Sequence, residues 1–220
     1  MSVFSTAISS GRKRRGEGHT RREEILQAAK ELFLEHGYDS TTIRRIADRV
    51  GISAPALYLY FKDKEALMLA LCDQTFAHLL AAIDEIERTV EDPLQRIRRF
   101  GEAYARFGLS HPDEYRLVFL GANIPESMRK VGHRAATDDP TKPGVGGALV
   151  FGRLVAILAQ VEASGVKLNY PPDTCAELCW MAMHGLVAAM IMKPEFPWSD
   201  RDLLISAMLD IHLKGMVRSQ

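Results

Sequence analysis

The chain has 220 residues, 47% of them hydrophobic, which is enough to bury a sizeable core, and its 28 basic residues are cancelled by 28 acidic ones. A strong overall field for a polyanion is therefore excluded. No uninterrupted apolar run reaches the roughly 18 residues of a membrane span, and Met1–Ser10 lacks a signal-peptide apolar stretch, so a cytoplasmic location without membrane contact is expected.

The charge is unevenly placed. Residues 1–64 hold 12 Lys or Arg against 8 Asp or Glu, whereas the remainder holds 16 against 20. Six of those basic residues fall between Arg12 and Arg22 with no apolar residue to bury, which predicts an arm over 1–19, disordered in the free protein and suited to phosphates or a minor groove. Thr20 and Glu23 then read as a capping box for a helix whose stripe is Ile25, Ala28, Ala29, Leu32 and Phe33, closed by His36-Gly37.

Residues 41–64, TTIRRIADRVGISAPALYLYFKDK, carry the chemistry. Ile43, Ile46, Ala47 and Val50 repeat at i, i+3, i+4 and i+7, so a short helix has one apolar face with Arg44, Arg45, Asp48 and Arg49 off it. Gly51 supplies the turn, and Ser53 can cap a second helix with Pro55 early, where a missing N–H costs little. The result is two helices across a tight turn.

That second helix starts on small side chains, Ser53, Ala54, Pro55 and Ala56, which let a backbone approach a major-groove floor; Pro55 and Ala56 can touch a thymine methyl. Leu57 and Phe61 supply its buried face. Tyr58, Tyr60, Lys62 and Lys64 follow with hydroxyls and ammonium groups for successive phosphates, and Arg44 can pair with guanine. A solvated helical hairpin would need none of these together.

The pattern T-T-x-R-x-I-A, then G-x-S, then L-Y-x-Y-F-x-x-K-E-x-L resembles the N-terminal domain of the TetR family of transcriptional repressors. The resemblance runs from about Thr20 to Leu71 and implies that Thr42, Arg44, Ser53, Pro55, Ala56, Tyr58, Tyr60 and Lys64 stand where DNA-contacting residues lie. Two features depart from it. The position of Tyr60 is often histidine in the family, and longer polar residues are common where Ala54 and Ala56 stand, which leaves direct base reading by this helix thin.

From Lys64 the chain reads as helix after helix, with no β pattern. A long helix spans Lys64 to about Thr89. Asp92-Pro93 opens another through Ser110, and His111-Pro112 starts a shorter one through Leu120. Gly121 to Gly147 reads as a long loop, then helices are expected over Gly147–Ala163, Pro172–Met192 and Ser199 to about Met216. The fold class is all-α: a three-helix DNA-binding unit over 20–66, followed by a helical ligand-binding and dimerisation unit over 67–220.

The last two helices are apolar on two sides. In the first, Cys175, Cys179, Ala182, Leu186 and Met190 oppose Trp180, His184, Val187 and Ile191; in the last, Leu204, Ala207, Met208, Ile211 and Gly215 oppose Ile205, Leu209, His212 and Met216. One face serves the core, so the other predicts a four-helix homodimer interface, with Leu204, Ala207, Met208 and Ile211 in it. The W-x-x-x-H-G string at Trp180 to Gly185 and HPDEYRLVF at 111–119 resemble the C-terminal ligand-binding domain of one TetR subgroup.

Phe100, Tyr104, Phe107, Tyr115, Phe119, Phe151, Met181 and His184 are the candidates for an internal pocket, and the family implies that such a pocket binds an inducer. Sparse charge among them favours a small apolar or aromatic effector. Cys175 and Cys179 share a helix face, but His184 is nine residues from Cys175 and points away, which favours buried thiols over a metal site. No P-loop, GxGxxG, GxSxG or HExxH string occurs, so no catalytic residue, cofactor or metal is expected. The reading is a DNA-binding regulator released from double-stranded operator DNA by its ligand. The rival is an all-helical enzyme or carrier with the N-terminal unit as an interaction module.

Overall fold

The computed structural model describes residues 17–120 and 143–218. The arm expected over 1–19 lies outside these up to residue 16, as does most of the loop expected over 121–147. Among the described residues there is no strand, and one isolated antiparallel bridge joins Leu168 to Val217.

Helix α1, Glu17–His36, starts before Thr20, so the expected capping box does not form. Glu23 instead pairs with His19 one turn back at 3.2 Å, and Arg21 with Glu24 at 2.6 Å; such pairs carry the polar first turns of a helix. Helix α2, Ile43–Val50, is capped by the Thr42 hydroxyl on the Arg45 N–H and ends at Gly51, whose φ of 72° is the left-handed conformation the turn needs. Helix α3, Ala54–Leu57, is capped by the Ser53 hydroxyl on the Ala56 N–H. Together they form a head whose core includes Ile25, Ala29, Leu32, Phe33, Ile46, Ala47, Leu57 and Phe61. Arg49 ties α2 back to α1 through Glu31 and Glu35.

Helix α4, Lys64–Thr89, belongs to both halves of the molecule. Leu67, Met68, Leu71 and Cys72 complete the head core, while Leu79 and Ile83 enter the core of the larger unit. That unit is built from α5, Pro93–Ser110; α6, Pro112–Tyr115, extended by a π turn over Arg116–Leu120; α7, Gly146–Ala163; α8, Pro172–Met192; and α9, Arg201–Met216. Helices α5, α7 and α8 pack on one another, α4 lies against α5 and α7, and α9 closes over α5 and α8.

The π turn is a second bridge between the units. Leu117 and Val118 lie in the head core, and Tyr115 in the other. Lys30 of α1 reaches Glu114 of α6 at 2.9 Å across the joint.

Helices α4, α7 and α8 are each long and apolar enough to cross a membrane by length and mean hydropathy, contrary to the expectation from uninterrupted runs. The charged residues that interrupt those runs are too few, at most two in each 18-residue window, to bring its mean hydropathy out of that range. In this fold 44%, 44% and 39% of the most apolar window of each is buried against the rest of the protein.

Candidate DNA interface and ligand cavity

The expected DNA contacts gather at the starts of α2 and α3 and in the turn after α3, except Lys64, which opens α4. Thr42 and Ser53 stand at the starts of α2 and α3, each spending its hydroxyl oxygen on a cap while its O–H remains able to donate. Arg44, Pro55 and Tyr58 are exposed, Ala54, Ala56 and Tyr60 half-buried, and Leu57 beneath them is fully buried. The small residues thus form a surface held rigidly by one buried leucine.

The two lysines divide. Lys62 is open, its side chain 80% exposed and only loosely near Asp63 at 3.8 Å. Lys64 is turned inward, donating to the Tyr38 carbonyl at 2.6 Å and the Asp39 carbonyl at 3.3 Å, with its ammonium 4.2 Å from the Tyr38 ring centre. Burial lowers its pKa, with Asp39 opposing. An ammonium has three donors, so one N–H remains for a phosphate.

The cavity lies between α4, α5, α7, α8 and α9. It is walled by Phe76, Phe100, Tyr104, Phe119, Phe151 and Met183, among others, and leaves about 40 Å³ for the centres of water-sized molecules. That is room for a few waters at most, since each needs roughly 10–15 Å³ by this measure. A larger ligand has to displace these walls.

Next to Tyr104 is a polar cluster, its two tyrosines buried and its histidine half-buried. The Tyr104 hydroxyl is 3.0 Å from that of Tyr115 and 3.3 Å from His184 Nδ1, and the Tyr115 hydroxyl is 2.6 Å from the same nitrogen. His184 also stacks between Tyr115 and Trp180. Burial pushes the Tyr104 hydroxyl up to about 12 and raises Tyr115 as well, so both stay neutral donors.

Four of the eight expected cavity residues do not line it: Tyr115 and His184 form the polar cluster next to Tyr104, and Met181 and Phe107 lie elsewhere. Met181 is 53% exposed on the outer face of α8, and Met183, two residues and roughly 200° further round, is the one at the cavity. Phe107 stacks on His111 at 5.0 Å and lines a separate groove toward the head, because it lies on α5 about 60° from Tyr104 and beyond the last cavity turn. Phe76, Trp180, Met183 and His212 were not anticipated there; Phe76 shares α4 with the head, which a search for aromatic neighbours in the later helices passes over.

Family models match both halves of the chain. One described as "Bacterial regulatory proteins, tetR family" covers residues 25–71, and one described as "Tetracyclin repressor-like, C-terminal domain" covers residues 97–212. The chain belongs to the TetR family. This TetR-family chain is 33% identical over 149 residues to the HTH-type transcriptional activator FasR of Mycolicibacterium smegmatis, covering 62% of itself and 68% of FasR. It is 43% identical over 65 residues to the HTH-type transcriptional repressor AcnR of Corynebacterium diphtheriae, covering 30% of itself and about a third, 34%, of AcnR. The solved structure of the fatty acid degradation regulator FadR from Bacillus halodurans shares the fold, with a TM-score of 0.71 at 16% identity over 92% of this chain and 98% of that one. The TetR-family protein is a DNA-binding transcriptional regulator.

The outer face of its last two helices is apolar. Ile211 is 67% and Leu203 61% exposed and Ala207 is half-buried, whereas Leu204 and Met208, expected in the interface, pack half-buried against the protomer's own core; Met181 and Met192 are exposed on α8. Ile205, Leu209 and Met216, on the opposite stripe of α9, are buried in the protomer's own core. Leu203 was absent from the expected interface, being out of step with the stripe through Leu204 and Ile211. The three cysteines are free and buried, and among the described residues no group of three or more His, Cys, Asp or Glu is placed to hold a metal.

Proposed function

We propose that this chain is a cytoplasmic homodimeric repressor that leaves double-stranded operator DNA when a small apolar or aromatic molecule enters the cavity around Tyr104. It acts by binding alone. The observation that carries the reading is helix α4, which holds Leu67 and Leu71 in the head core and Phe76 in the cavity wall. A ligand too large for the present space displaces Phe76, and a rigid helix passes the displacement to the head. The π turn offers a parallel route, with Phe119 at the cavity and Leu117 and Val118 in the head core. Paired recognition helices fit successive major grooves only at a separation of about 34–36 Å, so a few ångströms of tilt lose one half-site.

Thr42, Arg44, Ser53, Pro55, Ala56, Tyr58, Tyr60 and Lys64 are the proposed DNA contacts, and the exposed face through Leu203, Ala207 and Ile211 is the proposed dimer interface. The wall of aromatic and aliphatic side chains, without a carboxylate, lysine or arginine, supports an apolar ligand. FasR is named an activator and AcnR a repressor; release on ligand entry favours the repressor sign. Coupling of this kind is reciprocal, so operator must weaken ligand by the factor by which ligand weakens operator. Calorimetry of a derepressing ligand, with and without saturating operator duplex, checks this: unequal affinities are expected, and equal ones sink the coupling.

A further inference from the structure

Leu59 is 79% exposed, more than any other large apolar side chain among the described residues, and it stands in the middle of the DNA-facing turn between Tyr58 and Tyr60. No core contact explains a leucine held in water there. The backbone explains its direction. After α3 the hydrogen bonds tighten to three-residue spacing, Leu59 N–H to the Ala56 carbonyl at 3.3 Å and Tyr60 N–H to the Leu57 carbonyl at 2.9 Å. In such a turn residues i and i+3 eclipse, so Leu59 stands in line behind Ala56. Ala56 and Leu59 therefore form one apolar row, continued three residues on by Lys62, with Pro55 and Tyr58 on the neighbouring row; Arg44, on α2, is exposed as well.

We propose that Leu59 is a specificity-determining residue, reading the C5-methyl group of a thymine in the major groove. Phosphates and sugars reward the tyrosines and lysines around it, but an aliphatic tip gains by desolvation only against another apolar group, and in the major groove that group is the thymine methyl. Pro55 and Ala56 present no side-chain donor or acceptor, so methyl contacts along these two rows, together with Arg44 on guanine, carry the discrimination. The proposal rests on the DNA-binding role of the head.

The test uses the full chain. It first selects duplexes from a random library; the preferred duplex is then remade with deoxyuridine for thymine one position at a time, which deletes only the methyl. The unmutated protein is expected to lose about fourfold in affinity at one position per half-site, the worth of one buried methyl. Leu59→Ala, whose fold is checked by circular dichroism, is expected to bind the thymine and uracil duplexes equally at that position, and Leu59→Met to keep the preference. If Leu59→Ala keeps every thymine preference, or weakens both duplexes alike as loss of a sugar contact would, the assignment is overturned. Failure of the unmutated chain to select or bind any duplex is a distinct result that removes the DNA reading of the head as well.

Discussion

At the scale of single residues, two cations of the head are already engaged within the protein, Arg49 by two carboxylates and Lys64 by two carbonyls. Lys62 and Arg44 stay exposed, and Tyr58 and Tyr60 are the hydroxyls proposed to meet phosphate beside them. Tyr58→Phe and Tyr60→Phe each delete one hydrogen-bonding group while keeping the ring, and each is expected to weaken DNA binding by roughly 0.5–1.5 kcal/mol. Phosphates carry no sequence, so operator and random duplexes should weaken alike in titrations at one fixed salt concentration. A change in base preference without weaker random-duplex binding contradicts the assignment.

At the scale of elements, close approach decides where the cavity's polar cluster sits. A Cβ on Gly108 would lie 2.6 Å from Val187 Cγ1 and 2.8 Å from the Tyr115 ring, so α5, α6 and α8 meet at this glycine. Gly108→Ala should cost about 1–3 kcal/mol by overpacking, read as a lower denaturant midpoint at unchanged slope. It should also shift the Tyr115 contact with His184, visible as a changed histidine ring resonance. The joint between head and body carries its own pH dependence. Burial alone would raise the Glu114 pKa, but the hydrogen bond and charge of Lys30, together with a backbone hydrogen bond and the nearby His111, outweigh it and leave the carboxyl below its ordinary value. A lowered folded-state pKa adds stability above the unfolded value and loses it as pH falls through the folded one. Glu114→Gln should therefore be less stable than the unmutated protein by at most about 1 kcal/mol at pH 7, with the gap closing below about pH 4 in denaturant titrations.

Helix identity was legible from the chain because punctuation was strong: Ser53-x-Pro55, Asp92-Pro93 and Pro171-Pro172 mark starts that the structure keeps within a residue or two. Orientation within apolar helices was not. Helix α8 is apolar on two sides, so nothing local separates exposed Met181 from Met183 at the cavity, and packing against its neighbours chooses. The Thr20 cap failed for a different reason, since side-chain pairs among His19, Arg21, Glu23 and Glu24 let α1 begin earlier. Lys64 has the sequence context of a phosphate ligand, yet Tyr38 and Asp39, brought near by the fold, take two of its donors.

At the scale of the whole molecule, one surface remains to be covered. Helix α9 has spent Ile205, Leu209 and Met216 on the protomer's core, which leaves Leu203, Ala207 and Ile211 facing out beside Met181 and Met192 of α8. In the proposed dimer a second copy presenting the same stripe would cover it under two-fold symmetry, and the same symmetry would place two recognition turns on two half-sites. Ile211 is the informative position because its exposure in the protomer, 67%, separates assembly from folding. Ile211→Glu leaves the carboxylate in water in a monomer but desolvates it against its symmetry mate in a dimer, where an unpaired buried charge costs several kcal/mol. The expected outcome is a helical, cooperatively folding monomer by analytical ultracentrifugation, with weakened operator binding because each head then holds its half-site alone. A variant that sediments as an unchanged dimer would remove this stripe from the interface.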